Sequence, residues 1–313
     1  MLTITKLLVA VFTANSAMAV DANMNPGTVF KDCDTCPDMV VIPPGEIIQG
    51  RDGRDAMEPE RYEGLPHKVT IAYKFAVGKT EATTGQFREF AKATGYQNDE
   101  ICNIWDGMVA HKDPGTNWKN PGYGRPAADN EPGACLSWND GKAYMAWLSK
   151  KTAKKYRFLT ESEWEHVARA GRPYALYAWG DDPNQACQTA NVFDQSAKNL
   201  PPPMTPRKFP PANCSDGHPI IAPAGALAPN PFGVYDMIGS IWEWVEDCYV
   251  FPYPANTPTD GSAYLGPDGC DRRVSKGGSW TTTIYRQIPT FRGRDPAIMS
   301  SQAFGFRIAR DLD

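Results

Sequence analysis

The sequence predicts a single irregular α+β domain, and three observations lead there. Capped helix signals occur three times between residues 83 and 171 and then cease. Short apolar runs bounded by turn residues surround them, as short strands require. The chain also carries 27 Gly, 28 Pro and 9 Trp. So many turn residues beside so much ring area suit loops pinned by buried aromatics, with few long elements.

Taken in order, residues 20–36 read as a flexible lead-in. Met39-Val-Val-Ile42 is a short apolar strand, stopped by Pro43-Pro44-Gly45, and Ile47-Ile48 begins a return strand. Val69, Ile71 and Tyr73 alternate like a half-buried strand. Thr83 and Gln86 form a capping box ahead of Phe87, Phe90 and Ala91 on one face, and Gly95 is the stop. Ser137 with Asp140 precedes Ala143, Tyr144, Trp147 and Leu148. Thr160 with Glu163 precedes Trp164, Val167 and Ala168, and Gly171 ends that helix. Glu163 is thereby a capping residue, and its neighbours Glu161 and Glu165 are expected to be solvated. The Pro-rich stretch 200–211 reads as a loop excursion within one domain.

Lys+Arg 32 against Asp+Glu 36 gives a formal net charge of −4 without long blocks of one sign. That excludes a nucleic-acid or anionic-membrane footprint. At the N-terminus, Lys6 precedes the apolar run Leu7–Phe12, and Ala17-Met18-Ala19 offers a small-x-small cleavage site. Residues 1–19 thus have the plan of a secretory signal peptide, and the run is too short to span a bilayer. The mature protein is expected to be periplasmic or secreted, with no membrane insertion after cleavage.

Eight cysteines fit an oxidising compartment and favour disulfides over zinc, although sequence alone leaves the connectivity open. Pairing neighbours in sequence gives Cys33–Cys36, Cys102–Cys135, Cys187–Cys214 and Cys248–Cys270. Cys33-Asp-Thr-Cys36 has redox-motif spacing but lacks the strand-helix context of one. His67 and His111 sit in turn-rich stretches and read as surface residues. No nucleophile elbow, Walker loop or dinucleotide fingerprint occurs.

Seven segments, in order, carry a family resemblance. They are Arg157-Phe-Leu-Thr-Glu-Ser-Glu-Trp-Glu165, Trp179-Gly-Asp181, Ala190-Asn-Val-Phe-Asp194, Pro229-Asn-Pro-Phe-Gly-Val-Tyr-Asp-Met-Ile-Gly239, Trp242-Glu-Trp244, Arg273-Val-Ser-Lys-Gly-Gly-Ser-Trp280 and Gly305-Phe-Arg-Ile-Ala309. Together they resemble the formylglycine-generating enzymes, or sulfatase-modifying factors, over residues 37–312. The resemblance implies a single domain with a variant C-type-lectin fold, low in regular structure. It also implies two structural calcium ions, one held by Asn191, Val192, Asp216 and His218, the other by Asp236, Gly239, Ile241 and Glu243. Hard oxygen donors without sulfur suit that ion.

The family's enzymes use two cysteines, five positions apart after Gly277-Gly278-Ser279, to bind copper(I) and oxidise a substrate cysteine to formylglycine. Here those positions hold Thr282 and Gln287, and neither side chain can act as a thiolate ligand. A Tyr and a His of the family pocket fall on Arg286 and Thr283, while Trp242 and Ser279 remain. No copper is therefore expected. The candidate pocket comprises Trp242, Ser279, Trp280, Thr282, Arg286, Gln287, Arg292 and Arg294, with Tyr285 nearby. Guanidinium beside aromatic rings suits a carboxylate, a phosphate or a flat polar ligand, or else ties loops to backbone carbonyls. Arg307 reads as structural.

The reading that follows is an exported, calcium-stabilised, diverged oxidative or peptide-modifying enzyme acting on a peptide or peptide-derived small molecule. It would be similar to the periplasmic family member that oxidises the chromophore of a peptide siderophore without the cysteine pair. A non-catalytic lectin-fold module binding a peptide or surface ligand is the alternative, and formylglycine formation on sulfatases a third.

Overall fold

The computed structural model describes residues 21, 23–51, 63–98, 101–105, 110–200 and 209–312. The proposed signal segment lies outside them. The framework is a five-stranded antiparallel sheet in the order β1 (Val29–Phe30), β2 (Met39–Ile42), β5 (Phe75–Gly78), β13 (Ile308–Asp311) and β8 (Tyr156–Phe158). All four residues of β2 are buried. This explains its unbroken apolar run, because both faces of the strand are covered. Val40, Ile42, Phe75, Val77 and Ala309 face one core, where α3 (Glu161–Arg169) contributes Trp164, Val167 and Ala168. Met39, Val41, Ala76 and Ile308 face a second core. There α1 (Thr84–Thr94) and α2 (Trp138–Thr152) bring Phe87, Phe90, Tyr144 and Leu148.

All three helices begin with the expected reciprocal capping boxes, at Thr83/Gln86, Ser137/Asp140 and Thr160/Glu163. Each such cap stabilises its helix by about 1 kcal/mol. The expected stops hold as well: Gly95 is left-handed, and Ala170 and Gly171 both have positive φ at the end of α3. Beyond residue 171 the described helices are two 3₁₀ turns, Pro183–Gln188 and Ile284–Arg286.

Two expectations need correction. The strand Gly45–Gln49 (β3) does form, but it pairs with β4 (His67–Ile71) in a separate two-stranded sheet and does not return along β2. The stretch expected to be a flexible lead-in is tied into the domain. Val29 and Phe30 pair with Val40 and Met39, and Cys33 is bonded to Cys36. Asp21 and Asp32 both meet the fully buried Arg310 guanidinium, the latter at 3.1 Å. Such a buried cation needs nearby counter-charge, so removing this segment would expose or strand it.

A second sheet, β11 (Gly293–Asp295), β10 (Arg273–Lys276), β9 (Trp242–Cys248) and β12 (Phe304–Phe306), carries the segments after residue 240. β12 runs parallel to β9 and the other pairs are antiparallel. Two short strands, β6 (Asn103–Trp105) and β7 (Ala110–Lys112), complete the set.

All four neighbour-in-sequence disulfides are formed, and none of the eight cysteines is free. Cys102–Cys135 closes a separation of 33 residues across a region with little sheet of its own. Loop-closure entropy then predicts that Cys102→Ala/Cys135→Ala lowers stability by about 3–4 kcal/mol. A urea titration of the double variant checks this.

Glu161 and Glu165 are not solvated as expected: they are 1% and 0% exposed. Glu161 accepts from Arg292 Nε and Nη2 at 2.8 and 3.0 Å, and Arg169 pairs with Glu165 at 2.9 Å. Lys276, itself fully buried, lies 3.4 Å from Glu161. The cations beside Glu161 outweigh its burial and hold its carboxyl below the usual range. Nearby Asp247 accepts the N–H groups of Glu161 and Tyr264, and burial, reinforced by the Glu161 charge, pushes it up to about 7.

The two groups act in opposite directions with pH. Lowering at Glu161 adds stability that is lost as pH falls below the ordinary Glu value of 4.5. For Asp247 the folded chain holds a proton that the unfolded chain, at 3.8, has released, so stability falls between pH 3.8 and about 7. A shift of that size is worth on the order of 4 kcal/mol across the window. Asp247→Asn should flatten this decline, and urea midpoints on either side of about pH 6 would show it.

Candidate functional site

The turn Gly277-Gly278-Ser279 follows β10 and delivers the chain into the 3₁₀ turn Ile284–Arg286. Gly278 has φ +77°, and a Cβ there would sit 2.4 Å from Gln287 Oε1. The backbone conformation and the close approach of Gln287 both require glycine. Gln287 is wholly buried, and its Nε2 donates to the carbonyls of Ser279 (2.8 Å) and Thr282 (3.2 Å). Ser279 Oγ is 2.9 Å from Thr282 Oγ1 and 3.1 Å from Thr281 Oγ1, and Thr282 Oγ1 accepts the Ser279 N–H. Thus Ser279, Thr282 and Gln287 are brought together as one hydrogen-bonded cluster, which Thr281 joins. Sequence reasoning missed Thr281 because it has no motif counterpart.

This cluster fits copper(I) poorly. Its donors are hydroxyl and amide groups, whereas that ion prefers thiolate, and every cysteine is committed to a disulfide. It is also not fully satisfied internally. Gln287 Oε1 and Thr283 Oγ1 are buried without a hydrogen-bond partner among the described residues. Buried polar atoms left unpaired carry a cost, which a bound polar ligand or water would remove.

The rest of the candidate pocket divides. Trp242 is half-buried, with its ring 5.7 Å from Phe291 and stacked at 6.2 Å on Phe304. The Arg286 guanidinium lies 5.5 Å over Phe291, linking the half-buried Arg286 to that wall. Tyr285 is exposed beside them. Three expected residues lie elsewhere. Arg292 is 3% exposed, bound to Glu161 and to the Val250 carbonyl and packed 4.0 Å over Tyr253. It is a strut between α3 and β11, because the buried Glu161 carboxylate captures it. Arg294 sits on the exposed face of β11 near Tyr249. Trp280 is 1% exposed and belongs to a small core with Tyr123, Ile221 and Ile241.

Of the residues expected to bind calcium, the first group converges. Asn191 Nδ2 lies 3.0 Å from Asp216 Oδ2 and 3.1 Å from the His218 carbonyl, and the Val192 N–H donates to the same Asp216 oxygen. Burial pushes the Asp216 carboxyl up to about 6, and no cationic side chain pairs with it among the described residues. Asn191 Oδ1 is committed to the Ala222 N–H at 3.1 Å, and Val192 presents its N–H rather than the expected carbonyl, so Asp216 and the His218 carbonyl are the oxygens that meet here.

The second group meets differently. Glu243 is already bound: Arg307 Nη2 and Nε donate to its Oε1 at 2.7 and 3.0 Å, and Trp164 Nε1 donates to its Oε2 at 2.7 Å. Asp236 accepts the Gly225 N–H at 2.6 Å. A guanidinium therefore answers the charge of Glu243, which leaves Asp236 with the Gly239 and Ile241 carbonyls as donors. The second group fits calcium less well than the first. Gly239 has φ +83°, and its Cβ would fall 2.2 Å from the Asn191 carbonyl, so the two groups abut.

A disulfide-stapled, loop-rich α+β domain with a Gly-Gly-Ser turn feeding a buried polar cluster defines a class, and its relatives specify it. Residues 25–312 match the sulfatase-modifying factor enzyme 1-like domain, and the chain belongs to that family. It is 32% identical to a formylglycine-generating enzyme of Thermomonospora curvata, covering 87% of this chain and 93% of that one. It is also 28% identical to a mouse protein named inactive C-alpha-formylglycine-generating enzyme 2, covering 87% and 85%. The solved structure of PvdO from Pseudomonas aeruginosa superposes with a TM-score of 0.73 at 31% identity, covering 92% and 99%.

Proposed function

We propose that this chain is an exported, diverged member of the family that modifies a peptide or peptide-derived molecule without a copper–thiolate centre. The observation that carries this reading is the Ser279–Thr282–Gln287 cluster standing where the family's cysteine pair would be, with Gln287 Oε1 and Thr283 Oγ1 left for a polar ligand. Four disulfides suit folding in an oxidising compartment, periplasmic or extracellular. The match to PvdO over almost the whole of both chains supports a shared architecture. Substrate would lie along Trp242, Phe291 and Arg286. Ser279 and the Thr281 and Thr282 hydroxyls would orient the substrate, and Arg286 would hold an acidic group on it.

Calcium belongs to this proposal as a structural ion. Asn191, Val192, Asp216 and His218 would hold the first ion, and Asp236, Gly239 and Ile241 a weaker second. The ion would bind loops together and offset the Asp216 charge. We expect chelation to lower the melting temperature and Asp216→Ala to abolish the calcium-dependent increment. Scanning calorimetry with and without chelator reads both.

One observation favours the alternative of a binding module. Among Trp242, Ser279, Thr281, Thr282, Arg286 and Gln287 there is no His, Asp, Glu or Cys to serve as general acid or base. The test is incubation of the purified mature protein with peptide and siderophore-precursor extracts, followed by mass spectrometry. A new product that Ser279→Ala fails to form supports modification. Saturable binding without product supports the module.

A further inference from the structure

A second site lies away from the cleft and shares none of its residues. A cavity of about 490 Å³ opens beside the C-terminal half of α1. Its floor includes Ala91, Tyr96 and Trp118, and its rim carries Arg88, Lys92 and Lys119. A cavity of that size accommodates a small ligand or a few residues of a peptide. Among the described residues no acidic side chain lines it, although the chain as a whole has a net charge of −4.

The cations are arranged in a way that folding alone does not explain. Arg88 and Lys92 are four residues apart and share one face of α1, a like-charge spacing that weakens a helix. The Arg88 guanidinium lies 5.7 Å from the Trp118 ring and the Lys119 ammonium 5.2 Å from it. Two cations thus crowd one indole. Arg88 has a carboxylate partner, Asp129, at 2.9 Å, and both are well exposed. Lys92 and Lys119 have none among the described residues. Trp118 is held by an edge contact with Phe87 at 5.3 Å, so the floor is rigid. Tyr96 is fixed by its hydroxyl, which donates to Asp140 at 2.8 Å.

We propose that this groove binds an acidic peptide segment, with an apolar side chain on the Tyr96–Trp118 floor and carboxylates on Lys92, Lys119 and Arg88. Charge complementarity selects an anion, and the apolar floor selects a peptide over a uniformly sulfated glycan, which offers nothing to bury there. The assignment is independent of any turnover in the cleft.

The test uses the full mature protein and a fluorescein-labelled peptide of sequence Glu-Glu-Leu-Glu-Glu-Leu-Glu-Glu, followed by fluorescence anisotropy. Saturable binding that weakens with added salt is expected. It should fall at least about tenfold in Lys92→Glu/Lys119→Glu and to a lesser degree in Lys92→Gln/Lys119→Gln. Both lysines are surface residues, and an unchanged circular dichroism spectrum confirms that the variants fold. Binding retained in the charge-reversed variant would overturn the assignment, as would equal binding of a Lys-for-Glu peptide. Preference for dextran sulfate over the peptide, or no saturable binding of the peptide, would also overturn it.

Discussion

Replacing Arg307 by Met is expected to destabilise the protein more than any other single substitution, by about 3–5 kcal/mol. Arg307 is fully buried and donates to Glu243, to the Gly78 carbonyl at 2.9 Å, and to the Tyr235 and Asp236 carbonyls at 2.8 and 3.2 Å. It thereby joins β5, β9 and the loop that carries Asp236. Its neighbour Glu81 is 1% exposed, 3.8 Å away, and has neither oxygen hydrogen-bonded among the described residues. Removing the guanidinium strands Glu243 and Glu81 together, and a buried unpaired carboxylate is among the costliest defects a fold can carry. Burial already raises the Glu81 carboxyl well above the usual range, so the variant should recover part of its loss in acid. Urea titrations near neutrality and below it measure both the loss and the recovery. A loss under about 1 kcal/mol would show that the network relaxes without Arg307.

Gln287→Ala is expected to have the largest effect on function. Its amide bridges the Ser279 and Thr282 carbonyls under a glycine turn that leaves no room for another side chain. Loss of two buried hydrogen bonds costs about 1–3 kcal/mol and frees the loop that positions the Ser279, Thr281 and Thr282 hydroxyls. Ligand affinity or turnover should fall at least about tenfold, since misplacing such groups by 1 Å has effects of that order. Gln287→Glu keeps the shape but not the donor, and it should lose function to a similar degree. If both variants act like the parent while remaining folded, the cleft is not where this protein works.

How much of this was legible in the sequence depended on how local each determinant is. The capping boxes at Thr83, Ser137 and Thr160 are complete within four residues, so their helices and starts could be read directly. The disulfides follow sequence neighbours and matched the simplest pairing. Strand β3 was legible as a strand, but its partner was not, because pairing with β4 is decided by packing across the sheet. The burial of Glu161 was hidden for a related reason: its counter-charges, Lys276 and Arg292, lie 115 and 131 residues away in sequence. The same distance made Arg292 look like a pocket residue when it is a strut. Asp21 and Asp32 read as lead-in residues because their partner, Arg310, comes near the end of the chain. The motif placed Ser279, Thr282 and Gln287 in one group, and in the fold they are neighbours. That they bind one another, with two polar atoms left over, required the coordinates.

On the proposed reading, the hydrogen-bonded Ser279–Thr282–Gln287 cluster stands in place of a copper–thiolate centre, and calcium would serve only to hold loops. Full elemental analysis of the mature protein, purified from an oxidising compartment without chelators, tests it most directly. Between about one and two calcium per chain, with copper and iron absent and no titratable thiol, is the predicted result. Stoichiometric copper or iron would contradict it and make metal-based oxidation the working mechanism.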